Sequence, residues 1–109
     1  MSDKAQLARL AHLAGMIREQ RLELLRHAAE RKTKTEQLIA GLDQPGTTAL
    51  PTIPAARAEL AYQGWADQRR RELAAVLAAQ ILECERKRDA ARLAFGRAQV
   101  LDRLKAGKK

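Results

Sequence analysis

Residues 43–54 read Asp43-Gln44-Pro45-Gly46-Thr47-Thr48-Ala49-Leu50-Pro51-Thr52-Ile53-Pro54, and this stretch decides the fold. It contains all three prolines of the 109-residue chain, together with a Pro-Gly step. Proline has no amide hydrogen to donate and disfavours helix in the residue before it, so no helix continues through this segment. The sequence therefore predicts one domain, 1–109, with a helix over about 3–42, a loop over 43–54 and a helix over about 55–106.

The composition on either side of this loop is typical of helices. The chain holds 22 Ala, 16 Leu, 21 Lys+Arg and 13 Asp+Glu. These residue types exceed the roughly half of the sequence that is expected for a long helix or coiled coil. Sheets need β-branched and aromatic runs that are absent here. Ala and Leu on long helices form seams rather than enclosed pockets, so we expect an all-α fold and no enzyme.

The ends of both helices carry recognisable signals. Residues 2–3, a Ser-Asp pair, are suited to cap the first helix. Thr52 or Ile53 precedes the second helix, and Pro54 stands near its first turn, where its missing amide hydrogen costs nothing. Gly107 follows the last periodic residue and predicts the end of the second helix.

Apolar residues recur at 3-4 spacing along both helices, and this pattern predicts that they pair as a coiled coil. In the first helix the predicted stripe consists of Leu7, Leu10, Ala14, Ile17, Leu24, Ala28, Leu38 and Leu42. In the second helix it consists of Leu73, Leu77, Cys84, Ala91, Ala94, Ala98 and Leu101, with Gln80 and Lys87 as polar intrusions. The expected fold is an antiparallel coiled-coil hairpin whose second helix is longer, although the pattern leaves pairing between chains open.

The unequal helix lengths predict where such a hairpin has a free end. If the chain folds back about the centre of the loop, Leu7 faces the neighbourhood of Ala90. The second helix then has no intramolecular partner from about Ala94 onward. This predicted overhang contains Phe95 and Leu104, and exposed apolar residues on an unpaired helix end indicate a docking surface.

The net charge of +8 admits several kinds of partner. The densest basic run is Arg69-Arg70-Arg71, but these side chains fan around a helix, and Asp67 and Glu72 bracket them. Solvated helix faces, an acidic protein partner or, less favoured, nucleic acid all fit this pattern. No recognised nucleic-acid-binding motif is present.

The sequence offers no catalytic, cofactor or metal site. His12 and His27 lie fifteen residues apart, too far along one helix to share a metal ion. Cys84 is the only cysteine, so no intramolecular disulfide can form, and we interpret it as a small seam residue. With neither a signal peptide nor a transmembrane run in the sequence, we expect a cytoplasmic protein.

The aromatic pair Tyr62 and Trp65, separated by Gln63 and Gly64, allows two interpretations. Trp65 either packs on Leu38 or Ile39 at the end of the seam, or it is an exposed anchor for a partner. Packing at the seam is the favoured interpretation, and the anchor stays open because tyrosine and tryptophan are enriched at the energetic centres of protein–protein interfaces.

The architecture and one terminal pattern resemble a known family. The pattern reads Arg-x-Ala-Phe-x-Arg-x-x-x-Leu-x-x-Leu and consists here of Arg92, Ala94, Phe95, Arg97, Leu101 and Leu104. With two long helices, a short polar hinge and an Arg-rich second helix, the chain looks like the coiled-coil stalk protein of flagellar and type III secretion export (FliJ/YscO type).

This resemblance implies a function, partners and sites. It implies a non-enzymatic adaptor whose paired termini bind a hexameric export ATPase and which contacts an export gate protein and export chaperones. The implied location is cytoplasmic, at the periphery of an inner-membrane export apparatus. The ATPase-facing residues would be Arg92, Phe95, Arg97, Leu101 and Leu104. The gate- or chaperone-facing residues would be Trp65, Arg69, Leu73 and Leu77.

Two other functions remain open on the residues alone. One is a generic helical-hairpin interaction module or a small homodimeric coiled coil, since such compositions arise in many unrelated proteins. The other, less favoured, is a basic nucleic-acid-binding protein.

Overall fold

The computed structural model describes residues 3–43 and 52–107, which form two helices: α1, Asp3–Gly41, and α2, Ile53–Lys105. The predicted fold class is confirmed: the protein is all-α, with two long helices in an antiparallel hairpin and the second helix longer. The predicted cap Ser2 and the loop residues 44–51 lie outside the described residues. Within these two ranges, neither helix has an apolar stretch long enough to cross a membrane.

The ends of α2 follow from local chemistry. Thr52 caps the start of the helix, because its Oγ1 accepts a hydrogen bond from the Ala55 amide at 3.2 Å. At the other end Gly107 adopts a left-handed conformation with φ of 74°, and its amide donates to the Leu104 carbonyl oxygen at 3.0 Å. Glycine adopts this conformation without steric cost, so Gly107 ends the helix as predicted.

The chain divides into two compact units, and each contains a segment of both helices. Unit 1 comprises Met1–Glu30 and Leu82–Lys109, and unit 2 comprises Arg31–Ile81. In unit 1 the Arg18 guanidinium lies 5.6 Å from the centre of the Phe95 ring. In unit 2 Arg70 Nη2 donates to Asp43 Oδ1 at 2.7 Å.

The register of the helices in unit 1 differs from the predicted one. The predicted pairing places Leu7 opposite the neighbourhood of Ala90. The contact between Arg18 and Phe95 shows instead that each α1 residue lies opposite an α2 residue about 16 positions, or about four helical turns, further along the chain. In the observed register Ala11 and Ala28 of α1 and Ala91, Ala94 and Ala98 of α2 are buried.

The predicted overhang at the end of α2 is therefore wrong. Ala94 and Ala98 are buried against α1, with exposed fractions of 5% and 1%. In unit 2, by contrast, all residues from Ile53 to Trp65 are exposed, and Ala66 is the first buried residue of α2. The prediction failed because it placed the fold-back point at the centre of the loop, and the packing of the seam decides otherwise.

The seam of α2 is confirmed and the seam of α1 is partly wrong. Each of the nine α2 positions predicted above is buried or half-buried, with Gln80 and Lys87 half-buried. In α1 the predicted Leu10, Ile17, Leu24 and Leu38 are exposed. The α1 residues that are buried or half-buried at regular 3-4 spacing are Leu7, Ala11, Ala14, Arg18, Arg21, Leu25, Ala28, Lys32, Thr35, Ile39 and Leu42.

Candidate protein-interaction surface

The fully buried side chains in the seam of unit 1 are small, and several larger apolar side chains lie outside the seam. Its buried hydrophobic residues are Ala11, Ala28, Cys84, Ala91, Ala94 and Ala98. Cys84 is a buried free thiol, which confirms its interpretation as a small seam residue. Because alanine buries little area, such a seam supplies less hydrophobic stabilisation than a leucine seam would.

One side of unit 1 is polar and is formed by residues that directly follow seam positions. Two open depressions on this side contain residues of both helices. One is lined by Arg18, Phe95, Gln99, Asp102, Arg103 and Ala106. The other is lined by Ala11, His12, Gly15, Met16, Arg18, Glu19 and Asp102.

The opposite side of unit 1 carries an apolar patch, formed mostly by residues that directly precede seam positions. We call it the apolar face. Its members are Leu10, Leu13, Ile17 and Leu24 of α1 and Leu93, Val100 and Leu104 of α2. Their exposed fractions lie between 36% (Leu24) and 55% (Leu93).

The periodicity of the two helices places these residues on one side. Side chains that precede the seam positions lie about 100° around the helix from them, and in an antiparallel pair these flanks of both helices point the same way. The residues that follow the seam positions meet on the polar side, as the two shared depressions show. The preceding residues of α1 and α2 must therefore meet on the other side.

The apolar face extends from Leu10 to Leu24 on α1 and from Ala90 to Leu104 on α2. Among the residues of these two segments that precede seam positions, Arg97 is the one with a charged side chain. Arg97 also lines a groove on α2, together with Arg92, Leu93, Gly96, Val100 and Leu101. Gly96 leaves the floor of this groove open, since nothing lies within 4 Å of a Cβ built there. Among the described residues, Arg97 makes no ion pair.

The residues predicted to face an ATPase lie on different sides of unit 1. Arg97 and Leu104 belong to the apolar side, while Phe95 lies on the polar side beneath Arg18. Arg92 is exposed, and Leu101 is half-buried in the seam. The structure thus does not bring these five side chains together into one patch.

The residues predicted to face an export gate or chaperone lie in unit 2 and separate into two kinds. Trp65 is 54% exposed and contacts Tyr62 in a tilted arrangement, with ring centroids 5.8 Å apart. Arg69 is exposed and pairs with Glu72 at 3.3 Å. Leu73 is buried and Leu77 is half-buried, so these two side chains pack in the seam of unit 2 instead of facing solvent.

The two histidines, whose spacing argues against a shared metal ion, lie on α1 beside polar residues of the same helix or at its surface. His27 Nε2 lies 3.1 Å from Glu23 Oε1, one turn away on the same helix. His12 lines an open depression. In the part of the chain that the structure describes, no three His, Cys, Asp or Glu side chains are grouped so as to hold a metal ion.

Sequence reasoning missed the apolar face because α1 carries two apolar stripes. One contains Leu10, Ile17 and Leu24, and the other contains Ala11 and Ala28. The predicted seam combines residues of both stripes, Leu10, Ile17 and Leu24 together with Ala14 and Ala28, and only the second stripe packs. Side-chain size does not separate the two stripes, since the packed stripe also contains the half-buried Leu7 and Leu25.

Comparisons with known proteins identify no relative: no protein-family model matches the chain, and no curated protein and no solved structure matches it.

Proposed function

We propose that this protein is a non-enzymatic coiled-coil adaptor that binds other proteins through the outer surfaces of its paired helices. The observation that carries this proposal is the apolar face of unit 1. Seven large apolar side chains are exposed there beside a seam of alanines. The largest contiguous apolar patch of a typical soluble monomer covers about 300–600 Å² and is often a functional site.

The area of the apolar face is of the size that an interface needs. Burying a leucine-sized side chain removes about 100 Å² from water, so seven side chains at about half exposure present on the order of 350 Å². A standard interface covers about 800 Å² per partner, of which somewhat more than half is apolar. The apolar face would supply most of that apolar part.

The resemblance in the terminal pattern makes the proposal more specific. We propose that the adaptor is a stalk component of a flagellar or type III protein export apparatus. Its paired terminal segments, which form unit 1, would bind the export ATPase. Exposed residues of unit 2, Trp65 and Arg69, would contact an export gate protein or export chaperones.

Co-purification with an export ATPase tests this function. Replacing Leu104 and Arg97 by alanine removes exposed side chains without opening the seam, so helix content should be unchanged while the amount of co-purified ATPase falls at least about tenfold. Leu101 is left intact, because alanine at this half-buried position would also weaken the helix pair.

Leu60→Ala is the matched control, since Leu60 is an exposed leucine of unit 2 with no seam contact. It should leave ATPase recovery at the wild-type level. If neither the wild-type chain nor the control retains an export ATPase, the export assignment is wrong, and the adaptor proposal then depends on the apolar face alone.

A further inference from the structure

We propose that the apolar face of unit 1 binds a single amphipathic helix of a partner protein, about four turns long, that places a carboxylate opposite Arg97. This inference rests on the adaptor form of the proposed function and names the chemistry of the partner. It does not depend on the partner's being an export component.

The shape of the face favours a helix as its occupant. The α1 side of the face extends from Leu10 to Leu24, which is about 21 Å along the helix axis. The α2 side runs antiparallel to it and ends at Leu104. A third helix lying against both flanks would bury the exposed leucines and complete a three-helix bundle. Apolar stripes at 3-4 spacing are the complement that such a face accepts.

The charge of the face decides the chemistry of the occupant. Arg97 stands among apolar neighbours, and a docked helix would remove part of its hydration. An unpaired cation in that position opposes docking, whereas a carboxylate on the partner would make a charge-assisted hydrogen bond with it. The chain's net charge of +8 also attracts an acidic partner at long range.

The same charge disfavours a second copy of this chain. Because Arg18 lies over Phe95, Ile17 and Arg97 lie at about the same height in unit 1, near the middle of the apolar face. A two-fold contact centred on the face would bring Arg97 close to the same arginine of the second copy, and two chains of charge +8 would repel each other.

A pair of synthetic peptides provides the test. Both are 18-residue amphipathic helices with a leucine stripe at 3-4 spacing, and they differ only in carrying Glu or Lys at the middle of the stripe. Calorimetric titration of the full chain should show the Glu peptide binding at least about tenfold more tightly than the Lys peptide. Equal binding of the two peptides, or no binding of either at about 1 mM, would overturn the proposal.

A charge reversal identifies the arginine concerned. Arg97→Glu should invert the preference, so that the Lys peptide binds more tightly than the Glu peptide. The matched control is Arg71→Glu, which makes the same charge change at an exposed position of unit 2. This control should keep the wild-type preference, and a reversal there as well would show a nonspecific charge effect and contradict the proposal.

An apolar substitution tests the face itself. Ile17→Glu should weaken binding of both peptides at least about tenfold, while Leu60→Glu in unit 2 should not, with circular dichroism confirming unchanged helix content in each variant. Sedimentation equilibrium tests whether a second copy of the chain occupies the face instead. If the wild-type chain is a dimer and Ile17→Glu makes it a monomer, the face binds a second copy and the proposal of a partner helix is wrong. Charge-dependent peptide binding without ATPase recovery would leave this inference standing and reject only the export assignment.

Discussion

At the residue scale, several long polar side chains occupy seam positions among alanines and leucines. Arg18 and Lys87 are half-buried in unit 1, where their aliphatic stems can lie in the seam while their charged ends reach water. Arg18 also places its guanidinium over Phe95, and Lys87 Nζ lies 3.5 Å from Glu83 Oε1. The charged groups of these side chains have a partner or reach water, so placing their stems in the seam costs little desolvation free energy.

Gln80 is different, because its side-chain oxygen is buried in unit 2 without a hydrogen-bond partner. Removing an unsatisfied buried acceptor recovers its desolvation penalty, so Gln80→Leu should raise the free energy of unfolding by about 1–3 kcal/mol. Urea denaturation followed by circular dichroism measures the change.

Gln63→Leu is the control for this prediction. Gln63 is exposed and donates only to Glu59 at 3.3 Å, so its replacement should change stability by less than about 0.5 kcal/mol. If Gln80→Leu left stability unchanged or lowered it, the Gln80 oxygen would be satisfied in solution.

At the element scale, α2 has two parts that differ in how much tertiary packing stabilises them. Its first turns, from Ile53 to Trp65, are exposed on all sides, and the later segment from Cys84 to Ala98 has a buried stripe. Isolated helices of about 12–15 residues are marginal in water, so the first part depends on the Thr52 cap and on continuity with the rest of the helix.

Amide hydrogen exchange should reveal this difference. The amides of residues 57–65 should exchange at least about tenfold faster than those of residues 84–98, because opening the first segment breaks helical hydrogen bonds without exposing a buried seam. Exchange measured by NMR at single-residue resolution is the appropriate experiment. Equal protection of the two segments would mean that α2 has packing partners along its start.

At the scale of the whole molecule, the net charge of +8 is spread over both helices and is partly neutralised within them. Arg26 pairs with Glu23, and Arg88 pairs with Glu85, each three residues away on the same helix. Arg70 bonds both Asp67 and Asp43. Among the described residues, these ion pairs therefore reduce the number of arginines available to a phosphate backbone.

Binding to nucleic acid should therefore be weak and dependent on salt. Random-sequence duplex DNA followed by fluorescence anisotropy should show binding at about 20 mM salt that is lost at about 200 mM, because only nonspecific counterion release drives it. Nanomolar binding that persists at the higher salt concentration would instead favour the nucleic-acid-binding alternative.

Several features of the fold could be predicted because their causes are local. The absence of proline outside residues 43–54, the Thr52 cap and the left-handed Gly107 delimit the helices through a few neighbouring atoms each. The seam of α2 was also predictable, since that helix offers one continuous stripe at 3-4 spacing. Cys84 was correctly placed in it for the same reason.

The candidate interaction surface could be predicted only in part. The sequence alone determined two helices, their limits and the side of α2 that packs. Only the tertiary structure decided the register and the side of α1 that faces α2, because these depend on how closely two backbones can approach along their whole contact. In unit 1 the seam buries alanines of both helices, and this packing leaves Leu10, Ile17 and Leu24 exposed on the face that we propose a partner covers.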